Sequence, residues 1–253
     1  MLAKRMAALR AELLHTGRVA EATEDDFPLI YAVFGAFLEY RAEWTEFVQY
    51  LQLANKPEYR EPRAATMCAP TRIYGHRCML TPDLRLLEAL RQTGAIQETG
   101  MSYSRCRLRF ASERVLSWMC DYGIWLELYL FARIRQGGYA DDVRHSAVLS
   151  WDDDPDDDDT INEIDVLAAK DSRLYLFSCK TGALTAAALN ELGVLVTRFG
   201  GSAARGILTT TAQRASLPHA IVKRAESMGL LLLAQEDLAA ERIDDSLKRI
   251  FQG

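Results

Sequence analysis

The sequence is short of the features that mark secreted, membrane-bound or zinc-dependent proteins. Its five cysteines, at 68, 78, 106, 120 and 179, are odd in number and include no CxxC pair. That argues against a disulfide framework and against a cysteine zinc site, and it fits a reducing cytoplasm. His15, His76, His145 and His219 form no HxH or HxxxH pair, so histidine lends zinc little support either. No apolar run approaches the roughly 20 residues a membrane span requires. The opening residues mix Lys4, Arg5, Arg10 and Glu12 among alanine and leucine, unlike the uninterrupted apolar stretch of a signal peptide. A cytoplasmic protein without membrane attachment is the expectation.

Positive charge is also lacking overall: the formal net charge is −5, which at first excludes a nucleic-acid partner. The total misleads, because seven aspartates sit between Asp152 and Asp159, and without them the rest of the chain is slightly positive. Local charge decides whether a face can approach phosphates. The run lacks the alternating spacing and central glycine of a calcium loop, so a solvated loop is the plainer reading.

What is present is an ordinary globular composition, 49% hydrophobic and 26% charged over 253 residues, enough for one large domain or two modest ones. Leu2, Met6, Leu9 and Leu13 predict a helix over residues 2–15. A second helix is expected to start near Glu24-Asp25-Asp26 and a third to run from Trp44 to Leu53, with Pro57 and Pro62 marking a linker. Thr81-Pro82-Asp83 is expected to open a helix capped by Thr81, which Gly94 stops. Strands at 95–98 and 105–110, followed by a helix from about Ser112, complete a helix–hairpin–helix order that suggests a winged-helix-like module. Arg105, Arg107 and Arg109 alternate and so share one face of its wing. They are candidate phosphate contacts, against the plainer reading of a solvated strand face.

From Val143 onward the pattern changes. Strands are expected at 143–151, 161–168, 174–180, 205–211 and 230–234, and helices at 183–199, 214–228 and 237–251. This is α/β organisation around a mixed sheet. The expected domains are therefore a helical region with linker over residues 1–79, the winged-helix-like module over 80–112, and an α/β domain over 113–253.

The hairpin joining the second and third of these strands carries the chemistry. A turn at Asp171-Ser172 places Asp165 opposite Ser178 and Glu163 opposite Lys180 by antiparallel pairing. Strand alternation then puts Glu163, Asp165, Ser178 and Lys180 on one face, and Ile164, Val166, Tyr175 and Phe177 on the other, toward a core. Carboxylate oxygens are the ligands magnesium prefers, and a lysine beside them can orient water and stabilise charge on a phosphate. A structural ion pair on an exposed sheet face is the rival reading. Cys179, between Ser178 and Lys180, reads as a small buried hydrophobe rather than a nucleophile. Asn190 and Glu191, on the following helix, carry no assignment.

The stretch Asn162-Glu163-Ile164-Asp165-Val166-Leu167, a short turn and then Leu174 to Gly182, centred on Ser178-Cys179-Lys180, resembles the PD-(D/E)XK nuclease domain of CRISPR ancillary nucleases. Trp125-Leu126-Glu127-Leu128-Tyr129 resembles the helix that supplies that family's first glutamate. The similarity spans roughly Leu80 to Phe251. It implies a restriction-endonuclease-like fold in which Glu127 and Asp165 hold Mg2+ or Mn2+ and Lys180 positions the attacking water. The family often carries an acid where Ser178 stands, and Glu163 is the candidate to supply the missing oxygen. The resemblance further implies hydrolysis of DNA or RNA in antiviral defence and a homodimer, which the large apolar N-terminal helices also suggest. Family members usually add a CARF sensor of cyclic oligoadenylate, and the first 80 residues are too few and too helical for one. That leaves a sensor-free member, a shortened chain or an effector controlled by a separate protein. The alternative function is a catalytically impaired nuclease fold acting as a nucleic-acid-binding or regulatory module.

Overall fold

The computed structural model describes residues 12–14, 21–61, 65–76, 78–150, 161–200 and 204–252. The aspartate run and most of the helix expected over residues 2–15 lie outside these. Within that expected helix, Glu12–Leu14 is instead a strand, β1, paired antiparallel with the far end of a strand more than 130 residues on, Leu13 opposite Leu149. Leucine spacing alone cannot anticipate this, because the partner is an open sheet edge whose backbone groups become available only in the folded chain.

The chain divides into two compact units, one spanning Ala22–Trp125 and the other running from Leu126 onward together with β1. The boundaries expected at 79 and 112 both fall inside the first.

In the Ala22–Trp125 unit, helices α1 (Phe27–Glu39) and α2 (Arg41–Ala54) lead into strands β2 (Thr66–Pro70), β3 (Ile73–Tyr74) and β4 (Met79–Leu80). Helix α3 (Leu84–Gln92), strands β5 (Ile96–Met101) and β6 (Arg105–Phe110), and helix α4 (Glu113–Met119) follow in the helix–hairpin–helix order expected. The apolar residues that make α1 and α2 helical, among them Ile30, Phe34, Phe37, Phe47 and Leu51, are buried in this chain. Those side chains are therefore packed within this chain. Trp125 stands edge-on to both Trp44 and Trp118, with ring centroids 6.4 and 5.9 Å away, an arrangement that aromatic quadrupoles favour.

Two local expectations are corrected here. Helix α3 begins one residue after Asp83, whose carboxylate accepts from the amides of Arg85 (2.8 Å) and Leu86 (3.1 Å), so Asp83 rather than Thr81 is the cap. Both residue types can cap, and Asp83 wins because it directly precedes the first helical turn. The expected hairpin is also part of a three-stranded sheet, with β6 in the middle between β2 and β5. The arginines of β6 alternate with buried Cys106, Leu108 and Phe110, as the period of a half-buried strand requires.

The second unit contains most of α5 (Ile124–Gln136), then β7 (Asp142–Ser150), β8 (Ile161–Lys170), β9 (Arg173–Lys180), α6 (Ala186–Gly200), β10 (Ala204–Thr210), α7 (His219–Ser227), β11 (Leu231–Leu233) and α8 (Ile243–Gln252). Its six-stranded sheet runs β1-β7-β8-β9-β10-β11. Pairing is antiparallel through β9 and parallel from β9 to β10 and β11. The β8–β9 turn falls at Asp171-Ser172, closing the pair Lys170 and Arg173. Asp171 takes φ +52° there, a left-handed conformation that aspartate tolerates better than most residues.

Leu174, Leu176, Leu208 and Ala169 join Leu189, Leu192, Leu195 and Phe199 of α6 in one buried cluster. Each such leucine is worth about 1.5–3 kcal/mol in apolar burial. Gly206 lets this face close, since a Cβ there would lie 2.7 Å from Val196 and 2.6 Å from Leu230. On the opposite face, Phe251 of α8 packs on Tyr175 and Phe177, with centroids 4.4 and 6.2 Å apart.

Candidate active site

The site forms where the regular pleat of the sheet breaks. In β7, Ala147 and Leu149 belong to the cluster under α6, as Ile164 of β8 does. On the other side of the break, His145 turns toward α5, its ring edge-on to Phe131 at 5.0 Å. Val166 pairs with Phe177, on the Phe251 face, while Leu167 and Ala169 return to the α6 cluster. Side-chain alternation therefore switches at Ser146 in β7 and at Asp165 in β8. The two residues are opposite in register, yet their pair is missing from an otherwise continuous ladder. Ser146 absorbs the switch with φ +46°, a strained value for a residue with a Cβ. Ile164 and Val166 consequently lie on opposite faces, not on one as strict alternation predicts.

The β8–β9 ladder ends at the same point. Its last pair is Val166 with Phe177, so the strands separate before the expected partners, Asp165 with Ser178 and Glu163 with Lys180. The register is the expected one, but backbone pairing does not extend to these residues. In place of a ladder bond, Asp165 Oδ2 accepts the amide of Cys179 at 2.5 Å. Lys180 Nζ lies 3.9 Å from the same oxygen. The two side chains are 22% and 35% exposed for Asp165 and Lys180, so the pair is partly withdrawn from water and still reachable.

Burial pushes the Asp165 carboxyl above its usual range. The Cys179 amide and the Lys180 ammonium pull it back, the charge of Glu191 pushes it up again, and the nearby Ser178 hydroxyl lowers it. Where the family pattern often has an acid, this chain therefore has a hydroxyl that supports the neighbouring acid. Glu191, given no role from sequence, stands close enough on α6 for its charge to act on Asp165. The signal that could have found it is its place early in the helix that follows the lysine strand.

Glu127 comes from α5. Ser146 Oγ donates to its Oε2 at 3.2 Å, and His145 Nδ1 is 3.5 Å from the same hydroxyl. Burial holds His145 at a pKa of about 4, so its ring is neutral at ordinary pH. Cys179, buried as expected, has its thiol pushed well up by burial and further by both Asp165 and Glu127. The two carboxylates thus flank one buried residue, and the thiol stays protonated. Glu163 is exposed and pairs across β7 with Val148. Among the described residues no three His, Cys, Asp or Glu side chains gather into a ready metal cage.

The Arg105, Arg107 and Arg109 face is largely paired within its own sheet. Arg107 makes a two-point contact with Glu61 at 2.9 Å and reaches Glu98 at 3.0 Å. Arg109 contacts Glu98 at 2.5 Å and also Gln97. Arg105 donates to the carbonyl of Cys68 at 3.2 Å.

A mixed sheet flanked by helices, with an acid–lysine hairpin that separates at its polar end and a glutamate helix beside it, is a restriction-endonuclease-like nuclease fold. Residues 118–251 match the family described as Card1-like, endonuclease domain. The match covers more than half of the chain, and the chain belongs to that family. Among solved structures it is similar to protein VC1899 from Vibrio cholerae, at 19% identity and a TM-score of 0.66, covering 99% of this chain and 60% of that one. It is also similar to Can2 from Sulfobacillus thermosulfidooxidans, solved with cyclic tetra-adenylate, at 15% identity and a TM-score of 0.56, covering 100% of this chain and 61% of that one. The chain therefore spans about three fifths of the length of these two structures. No curated protein matches it.

Proposed function

We propose that the chain is a metal-dependent endonuclease that hydrolyses phosphodiester bonds of DNA or RNA, acting in CRISPR-associated antiviral defence. The observation that carries this reading is Asp165, held between the Cys179 amide and Lys180 where β8 and β9 part. Glu127, fixed by Ser146, accompanies it on the neighbouring helix. Defence and homodimerisation enter only through likeness to the family.

The donor set suits Mg2+ or Mn2+. It offers carboxylate oxygens, with Cys179 held protonated and His145 engaged with Phe131 and Ser146. Magnesium takes one or two protein carboxylates and completes its shell with water and phosphate, whereas zinc prefers thiolate and imidazole. On this reading Glu127 and Asp165 hold the ion, and Glu163 is the remaining carboxylate of β8. A divalent ion there supplies Lewis acidity toward the phosphate. Lys180 donates hydrogen bonds that orient the attacking water, and its charge offsets the negative charge that builds on the phosphate oxygens. The Cys179 amide keeps Asp165 in place with Lys180 beside it, so the acid is positioned before substrate arrives.

The test is cleavage of supercoiled plasmid and of labelled RNA with Mg2+ or Mn2+, by wild type, Asp165→Ala and Lys180→Ala. Metal-dependent cutting that disappears in both variants is the expected result. A wild-type chain that binds nucleic acid but cuts with neither metal would replace this reading with the alternative, a nuclease fold that binds without cleaving. Ser178 in place of an acid is the feature that favours the alternative.

A further inference from the structure

The strongest unassigned feature lies in the Ala22–Trp125 unit, at the end of its three-stranded sheet. Among the described residues seven large apolar or aromatic side chains are exposed, and four of them, Tyr74, Met79, Met101 and Tyr103, fall on two adjoining hairpins. Concentration matters here, because single exposed apolar residues are common and a cluster is not. The link that leads from β2 into the β3–β4 hairpin is tied to the β5–β6 turn by Thr71, whose amide bonds to the Ser104 carbonyl at 3.2 Å and whose hydroxyl bonds to the Ser102 carbonyl at 2.8 Å. Tyr103 is 88% exposed and Tyr74 72% exposed. The guanidinium of Arg72 lies over the Tyr103 ring, 5.6 Å from its centroid.

The chain segments that carry these rings hold charge of one sign. From Thr66 to Pro82 and from Thr99 to Phe110 the sequence has no Asp or Glu. Arg107 and Arg109 are paired with acids farther down the sheet, whereas Arg72 and Arg105 have no carboxylate partner among the described residues. Exposed aromatic rings beside cations without carboxylate partners suit a ligand with flat π faces and a negative backbone. They suit an apolar protein surface less well, since burying Arg72 and Arg105 there would leave their charge without compensation.

We propose that this end of the sheet is a stacking platform for single-stranded nucleic acid, with Tyr103 and Tyr74 taking unpaired bases and Arg72 and Arg105 the flanking phosphates. It deepens the nucleic-acid reading above but does not depend on cleavage. The basic contact foreseen along the whole β6 face is thereby moved to its end, where the arginines are not already matched with acids.

The experiment measures fluorescence anisotropy of labelled oligothymidylate, and of an abasic backbone of equal length, with the full chain in EDTA. Wild type is expected to prefer the oligothymidylate. Tyr103→Ala should weaken that binding about tenfold, as loss of one base–aromatic stack does, while leaving binding to the abasic backbone unchanged. Tyr103→Phe should keep the affinity. Because the side chain is so exposed, the thermal midpoint of Tyr103→Ala should match wild type, which separates lost contact from lost fold. Unchanged oligothymidylate affinity in the double variant Tyr74→Ala/Tyr103→Ala overturns the proposal, and so does an equal loss on the abasic backbone. Either failure leaves the Asp165 and Lys180 cleavage result standing, because binding is read without metal and cutting with it.

Discussion

The two sheets of this chain handle charge in opposite ways. In the β2–β6–β5 sheet, Arg107 and Arg109 meet Glu61 and Glu98 in close, many-pointed contacts, and the ladder carries them without interrupting β6. In the β7–β8–β9 half of the larger sheet, Asp165 and Lys180 are 3.9 Å apart and partly buried. There the ladder stops, the pleat switches faces and burial pushes the carboxyl upward. The first arrangement satisfies its charges with one another, while the second leaves a carboxylate whose ionised form is under-compensated. Exposed ion pairs are screened by water and contribute little. A partly buried, poorly matched acid costs stability and gains affinity for a cation.

The sharpest way to break this contrast is at Asp165. Asp165→Asn keeps the shape and removes the charge, so metal-dependent cutting should fall at least about a hundredfold in a plasmid time course, the scale of losing one group that stabilises transition-state charge. Stability should move the other way. With its folded-state pKa raised, the folded chain binds more protons than the unfolded one between the two pKa values. Stability therefore declines as pH rises through that window and stays lower above it. Asparagine is spared the decline, so the variant should melt above wild type at neutral pH and converge with it as pH falls below the ordinary aspartate range. A variant that is less stable at neutral pH would mean that Asp165 is matched like the arginine pairs.

An intermediate effect is expected at the pleat switch. Ser146→Gly relieves a left-handed φ worth about 1 kcal/mol and deletes the hydroxyl that holds Glu127. A hydrogen bond to a charged group is worth about 1.5–3 kcal/mol, more than the strain relieved, so turnover should drop roughly tenfold and the thermal midpoint should fall slightly. Equal turnover would show that Glu127 is placed without Ser146. The smallest effect is expected in the other sheet. Arg107→Ala should leave the melting midpoint nearly unchanged and indifferent to added salt, since both members of each pair are exposed. A clear loss of stability there would bring the two sheets closer together than their geometries suggest.

Much of this was legible in the residues. The α/β order after residue 143, the two-residue turn at Asp171-Ser172 and the alternation of Arg105, Arg107 and Arg109 follow from local patterns that need no distant partner. Strand β1, strand β2 and the cap at Asp83 were missed or misassigned. The strands depend on edges supplied by β7 and β6, and the cap on a choice between adjacent residues of similar propensity. At the site, the hairpin register was readable, but the face of each residue was not. Alternation assumes an uninterrupted pleat, and Ser146 and Asp165 interrupt it together.

By itself the sequence determined that an acid, a serine and a lysine would stand on paired strands, because a two-residue turn fixes register and register fixes who is opposite whom. It also determined a glutamate-bearing helix ahead of those strands. Only the tertiary structure decided that the strands part before Asp165, that the Cys179 amide takes the place of a ladder bond, that Ser146 reaches Glu127 and that Glu191 acts on Asp165. Each of these joins residues far apart in the chain or turns on a backbone torsion that side-chain pattern does not encode. The same holds for the arginines of β6: the sequence put them on one face, and their acidic neighbours in the fold decided which of them keep charge to offer.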